Sequence, residues 1–170
     1  MRVSILTTGG TIEKTYNEAD GMLRNDRSVL DEILASLRLP DLFIRHVNVM
    51  HKDSLEMTDE DRRVILEAVR NALERSDAVI VLHGTDTLSV TGELLNRELG
   101  QELSVPVILT GAMRPYEFRD SDALQNVTEA LLAARLLEPG VYVVMHNRVL
   151  RFPGVVKDRQ TLTFRRTDQG

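Results

Sequence analysis

The sequence predicts an α/β fold: an open, mostly parallel sheet with helices on both faces. Apolar runs rich in β-branched residues alternate with segments of helical periodicity along the chain. The runs are continuously apolar rather than apolar at every second position, as strands buried on both faces should be. Two runs end in turns that bear threonine and glycine, Thr8-Gly9-Gly10-Thr11 and His83-Gly84-Thr85-Asp86-Thr87. Turns at the carboxyl ends of parallel strands line the ligand crevice of such sheets.

The elements follow in order. Val3-Ser4-Ile5-Leu6 marks a strand over 2–7. Residues 14–27 are polar, contain Gly21 and have weak periodicity, so they read as a loop able to act as a lid. A helix is expected over 29–37 and a strand over 43–50. Thr58 is a candidate N-cap with Asp61 three residues on. Val64, Ile65, Ala68, Val69, Ala72 and Leu73 then form the apolar stripe of a helix over 59–75. Ala78-Val79-Ile80-Val81-Leu82 marks a strand over 78–83, followed by a helix over 90–103 and a strand over 105–110. Ser121 is the candidate cap of a helix over 122–137, which Pro139-Gly140 ends. The last strand is expected over 141–146. Beyond it, Thr161-Leu162-Thr163-Phe164 alternates, and segment 155–170 reads either as an interface element or as an edge strand of the same chain.

One domain over 1–170 is the natural reading of this length, which can bury a core without staples. A hydrophobic share of 42% and a charged share of 28% are those of an ordinary globular protein. The net charge of -5 and the lack of a basic run give no electrostatic reason to bind nucleic acid or an anionic membrane. Without cysteine, disulfides and thiol catalysis are excluded. No apolar run approaches the ~20 residues of a membrane span. The start runs directly into a strand and lacks a signal peptide's apolar stretch, so a cytoplasmic location is expected.

A threonine hydroxyl is a weak nucleophile until a base or a fixed dipole activates it. Asp86 adjoins Thr85 and Thr87, a pattern that suits hydrolytic chemistry. Each residue also has a plainer reading. Thr11 can simply close a turn, and Asp86 can begin an Asx-turn. His46, His51, His83 and His146 show no compact metal-ligand spacing. His83 can support the Gly84 turn from behind, or be an ordinary core histidine. No dinucleotide fingerprint, Walker loop or nucleophile elbow occurs.

At these residues the chain resembles the bacterial-type L-asparaginase family. Thr8-Gly9-Gly10-Thr11-Ile12 is similar to the family's first signature, and His83-Gly84-Thr85-Asp86-Thr87 to its second. Gly111-Ala112-Met113-Arg114-Pro115 is similar to a later block, and Lys157 falls where the family's catalytic lysine is expected. The matches are ordered and span nearly the whole chain.

The resemblance implies an amidohydrolase that converts L-asparagine and water to L-aspartate and ammonia without a metal or organic cofactor. It casts Thr11 as nucleophile, Tyr16 as its helper, and Thr85, Asp86 and Lys157 as a proton-handling group that also positions substrate. Thr85 as the attacking residue is a variant of the same scheme. A partly buried lysine can act as a base toward a threonine hydroxyl. Asp86 favours its ammonium form, so geometry decides the balance. Ser54 is implied to contact the substrate α-carboxylate, and the Ala112 carbonyl its side-chain amide. Ser54, Ala112 and Tyr16 also read as a polar loop residue, a small residue at a strand end and an exposed loop aromatic. Leu55 stands where the family commonly has glutamine, so glutaminase activity is expected to be weaker or absent. The resemblance covers the family's larger domain, and the usual C-terminal domain is expected to be absent. A homodimer or homotetramer is therefore expected to complete the site. The alternatives are a non-catalytic amino-acid-binding domain or fragment, and an amidotransferase-type component that supplies ammonia to a partner.

Overall fold

The computed structural model describes residues 1–25 and 28–167. The first strand, β1 (Arg2–Gly9), runs into a 3-10 turn, and then into β2 (Thr15–Asn17) and β3 (Met22–Arg24). Next come α1 (Leu30–Ala35), β4 (Phe43–Lys52) and α2 (Asp59–Leu73). The alternation continues with β5 (Ala78–Leu82), α3 (Leu88–Leu99), β6 (Pro106–Thr110), α4 (Ala123–Leu136) and β7 (Gly140–Met145). The chain then forms β8 (Arg148–Arg151), β9 (Val155–Asp158) and β10 (Thr163–Arg166).

The main sheet has the order β4-β1-β5-β6-β7-β8. Its first five strands are mutually parallel and β8 is antiparallel to β7. The expected open, mostly parallel α/β sheet is therefore present. Its two faces bury alternate residues of the same strands. Ile5, Ile80, Leu82 and Ile108 pack with α1 and α4, among them Leu30, Ile33, Val127 and Leu131. Leu6, Val79, Val81 and Leu109 pack with α2 and α3, among them Ile65, Val69 and Leu95. Continuous apolar runs are what this double burial requires.

Caps set the helix ends. Thr58 Oγ1 accepts the Asp61 N–H at 3.2 Å while Asp61 accepts the Thr58 N–H at 2.8 Å, the expected reciprocal box. Helix α3 starts two residues earlier than expected because the Thr87 carbonyl already accepts the Val90 and Thr91 N–H groups. It stops at Gly100, short of residue 103. Ser121 accepts the Ala123 N–H at 3.1 Å and so supports the start of α4, although Asp122 occupies the cap position.

Two segments differ from expectation. Residues 14–27 contain an antiparallel hairpin, with Tyr16 opposite Leu23, rather than only a loop; Asp26 and Arg27 lie outside the described residues. β-Branched and aromatic residues in Thr15-Tyr16-Asn17 favour the extended pairing. The tail forms a second hairpin, β9–β10, in which Phe164 sits opposite Lys157 and is buried in the core. The Thr161–Phe164 alternation thus belongs to a strand packed on its own chain; residues 168–170 lie outside the described residues.

Candidate active site

The candidate residues lie at the carboxyl ends of neighbouring strands: Thr11 after β1, Ser54 after β4, Thr85 and Asp86 after β5, and Ala112 after β6. Sheet order alone therefore brings them side by side. Cross-strand bonds tie these ends. Thr8 Oγ1 donates to the Leu82 carbonyl at 2.8 Å, Gly10 N to the Lys52 carbonyl at 2.9 Å, and His83 N to the Thr110 carbonyl at 2.9 Å.

Glycines permit the closest approach. Gly10 has φ 82, and a Cβ there would stand 2.4 Å from the Gly84 Cα. At Gly84 a Cβ would stand 2.6 Å from both Cβ and Oγ of Ser54. The turns after β1 and β5 therefore meet backbone to backbone, and the Ser54 side chain lies against Gly84, approaches that any larger residue at either glycine would prevent. Ser54 is buried and its hydroxyl has no hydrogen-bond partner among the described residues. An unpaired buried hydroxyl is costly and is a ready donor or acceptor for a ligand.

Lys157 reaches this cluster from β9. Its Nζ donates to Thr85 Oγ1 at 2.8 Å and to Asp86 Oδ1 at 3.0 Å. An Arg159 nitrogen lies 3.5 Å from the same Asp86 oxygen, so two cations share one carboxylate. The Lys157 side chain is only 13% exposed, which strengthens these electrostatic contacts relative to water. Because Thr85 accepts from Lys157, its own proton is free to point at a ligand.

His83 supports the β5 turn from behind. It is fully buried, with Nδ1 2.8 Å from the Gly84 carbonyl and Nε2 2.8 Å from Thr91 Oγ1. A carbonyl can only accept, so Nδ1 carries the proton and Nε2 accepts from Thr91. Burial pushes His83 down to about 4, against the opposing Gly84 bond and with a further push from Arg62. A neutral imidazole thus holds the Gly84 peptide.

A second network ties the Lys157 hairpin to the sheet. His146 bridges Thr163 Oγ1 at 2.9 Å and Asp122 Oδ2 at 2.7 Å. Burial pushes Asp122 up. Donation from Met113 N–H, His146 and Arg114 N–H outweighs burial and holds its carboxyl below the usual range. Asn126 links this network to the β6 turn by donating to the Gly111 carbonyl at 2.9 Å.

A family model for the N-terminal domain of asparaginase matches residues 2–166. The chain belongs to the asparaginase family. It is 34% identical over 153 residues to the L-asparaginase of Thermococcus kodakarensis, an alignment covering 88% of this chain and 45% of that one. A solved structure of the thermostable L-asparaginase from that organism superposes with a TM-score of 0.88 at 31% identity. That superposition covers 98% of this chain and 51% of the other. The chain is also 31% identical over 153 residues to a subunit of the glutamyl-tRNA(Gln) amidotransferase of Methanococcus vannielii, covering 86% of this chain and 34% of that one. The chain thus spans about half the length, or less, of the relatives it matches.

Within this asparaginase-family domain, Thr85, Asp86 and Lys157 are in direct contact, and Ser54 packs against their turn. Ala112 is buried at the end of β6. Tyr16 stands apart: it is 59% exposed on β2, and its hydroxyl lies 3.8 Å from where a Gly21 Cβ would stand, at the hairpin tip. Leu55, beside Ser54, is 66% exposed. Sequence reasoning misses Glu13, Asp122 and Thr163. Glu13 carries no local signal, because a lone acidic residue ordinarily faces water.

Proposed function

We propose that the protein is an amidohydrolase releasing ammonia from L-asparagine. The observation that carries the reading is the Lys157 contact with both Thr85 and Asp86, beside the Thr11 turn. In this scheme Thr11 Oγ attacks the side-chain amide carbon and its proton passes through the Thr85–Lys157 pair to the leaving nitrogen. Ammonia departs, an ester to Thr11 remains, and water hydrolyses it to aspartate and restores the hydroxyl. Lys157 must give up a proton to serve as the base. The Thr85 hydroxyl and turn amides stabilise the oxyanion. The unpartnered Ser54 hydroxyl takes the substrate α-carboxylate and the Ala112 carbonyl its amide group. Tyr16 joins only if its hairpin folds over the site.

Covering the strand ends would exclude water and strengthen the electrostatic contacts of the site further. A homodimer or homotetramer in which a second copy covers the crevice is part of the reading. Light scattering across a dilution series, with activity followed in parallel, tests it; a fully active monomer defeats it.

A second reading is favoured by the likeness to the glutamyl-tRNA(Gln) amidotransferase: ammonia delivery to a partner protein. Purified protein given L-asparagine alone, without partner or ATP, separates the two. Steady ammonia release supports the hydrolase; release seen only with a partner supports the second reading; none in either case defeats both.

A further inference from the structure

Glu13 is a buried acidic group that the reaction above does not use. The residue is fully buried at the end of the 3-10 turn Thr11–Glu13. Its Oε2 accepts the Gly9 N–H at 2.9 Å, and its Oε1 has no hydrogen-bond partner among the described residues. Among the described residues, the Ser28 side chain, just before α1, also acts on this carboxyl. A buried carboxyl with so little compensation is expensive, and an apolar residue would fill the space at lower cost. Burial pushes Glu13 up to about 7, against the opposing Ser28 and Gly9 bonds.

The bond to Gly9 closes a short ring. It runs from the end of β1 through Gly9 (φ 96), Gly10 (φ 82) and Thr11, and returns through the Glu13 side chain. Consecutive glycines have the greatest backbone freedom of any pair, so this turn needs an external restraint. The Gly10 N–H bond to the Lys52 carbonyl restrains one peptide, and Glu13 restrains the other. Thr11 directly follows the restrained pair.

We propose that Glu13 is a positioning residue: by accepting the Gly9 N–H it locks the Gly9-Gly10 turn and so aims the Thr11 hydroxyl into the crevice beside Thr85. The inference rests on the reading of Thr11 as nucleophile. Glu13 itself touches no reacting atom. What it supplies is an acceptor oxygen, which glutamine can also supply and leucine cannot.

Wild type, Glu13→Gln and Glu13→Leu are compared for kcat and KM on L-asparagine, for thermal unfolding, and for ligand-free exchange of the Gly9, Gly10 and Thr11 amides. Glu13→Gln is expected to keep wild-type exchange and a kcat within about threefold. Glu13→Leu is expected to speed exchange at Gly9 and lower kcat about a hundredfold at similar KM, the cost of a displacement of roughly 1 Å. A folded Glu13→Leu protein with wild-type exchange, or with near-wild-type kcat, overturns the proposal. So does a folded Glu13→Gln protein whose kcat falls as far as expected for leucine. If the leucine variant does not fold, Glu13→Ala, which also lacks the acceptor, takes its place with the same expectations. If wild type releases no ammonia, the nucleophile reading falls, while amide exchange still shows whether Glu13 locks the turn.

Discussion

Lys157 Nζ donates to Thr85 Oγ1 at 2.8 Å across 72 positions of sequence. Strand β9 delivers the lysine and the turn after β5 delivers the threonine, so neither segment alone makes the contact. Thr11→Ala, Thr85→Ala and Lys157→Met should each remove most ammonia release while circular dichroism stays native. Members of one proton-transfer unit act non-additively, so double variants should lose little more than the worst single one. Activity within about tenfold of wild type for any folded single variant reassigns that residue.

Asparagine should be turned over faster than glutamine. Leu55 offers no amide beside Ser54, and one methylene typically discriminates by ~1–3 kcal/mol. Leu55→Gln should narrow the ratio of kcat/KM between the two amides. Equal wild-type efficiencies on both amides would exclude the selectivity.

The parts of the site legible in sequence are those made by local chemistry. Gly9-Gly10 and Gly84 announce tight turns, and continuous apolar runs announce the parallel strands that place those turns together. Lys157 is legible only through resemblance, since nothing in Val155-Val156-Lys157 indicates where a hairpin will carry it. Glu13 is hidden because a lone acidic residue ordinarily faces water; its burial depends on how the turn folds back under Gly9. Strand β8 escapes notice because its turn uses His146 and Asn147, at φ 53 and 59, where glycine is the usual marker.

Glu13 also predicts a pH dependence of stability. Its value rises from 4.5 to about 7 on folding, so below 4.5 both states hold the proton and nothing is lost. Above that value the unfolded chain releases its proton first, and stability falls until the folded group titrates near 7. The loss is on the order of 3 kcal/mol. His83 slopes the other way: with its folded value at about 4, stability is present above 6.5 and declines as pH falls. The difference between wild type and Glu13→Gln isolates the first effect. In urea titrations, Glu13→Gln should gain on wild type between pH 4.5 and 7. A constant difference across that window refutes the assignment.

His146→Leu should loosen the hairpin that carries Lys157. It removes one donor from Asp122 and the partner of Thr163, at a cost of about 1–3 kcal/mol. Because Thr163 pairs with Asp158, next to Lys157, kcat should fall more than stability explains. Thr163→Val cuts only the hairpin side of the bridge and should reproduce the kcat loss with less destabilisation. Unfolding curves and kcat measured together decide this, and an unchanged kcat in both folded variants removes the link to Lys157.

The β2–β3 hairpin should close over the crevice when aspartate binds. Three residue pairs hold its strands together, and a two-stranded ribbon of that size has little stability of its own in water. Among the described residues, two contacts anchor β2 and the residue before it. Lys14 Nζ lies 2.6 Å from Asp53, next to Ser54, and the Tyr16 N–H donates to Glu117 at 2.7 Å. Tyr16, Met22 and Leu23 remain exposed, so closure has apolar surface to bury. Closure should also exclude water and carry Tyr16 toward Thr11. Amide exchange across residues 15–24 should slow at saturating aspartate. Tyr16→Phe should bind aspartate like wild type yet turn over asparagine more slowly, with an unchanged unfolding midpoint. Exchange that does not respond to aspartate rules out closure, and a Tyr16→Phe protein with wild-type turnover shows that the tyrosine hydroxyl takes no part in the reaction.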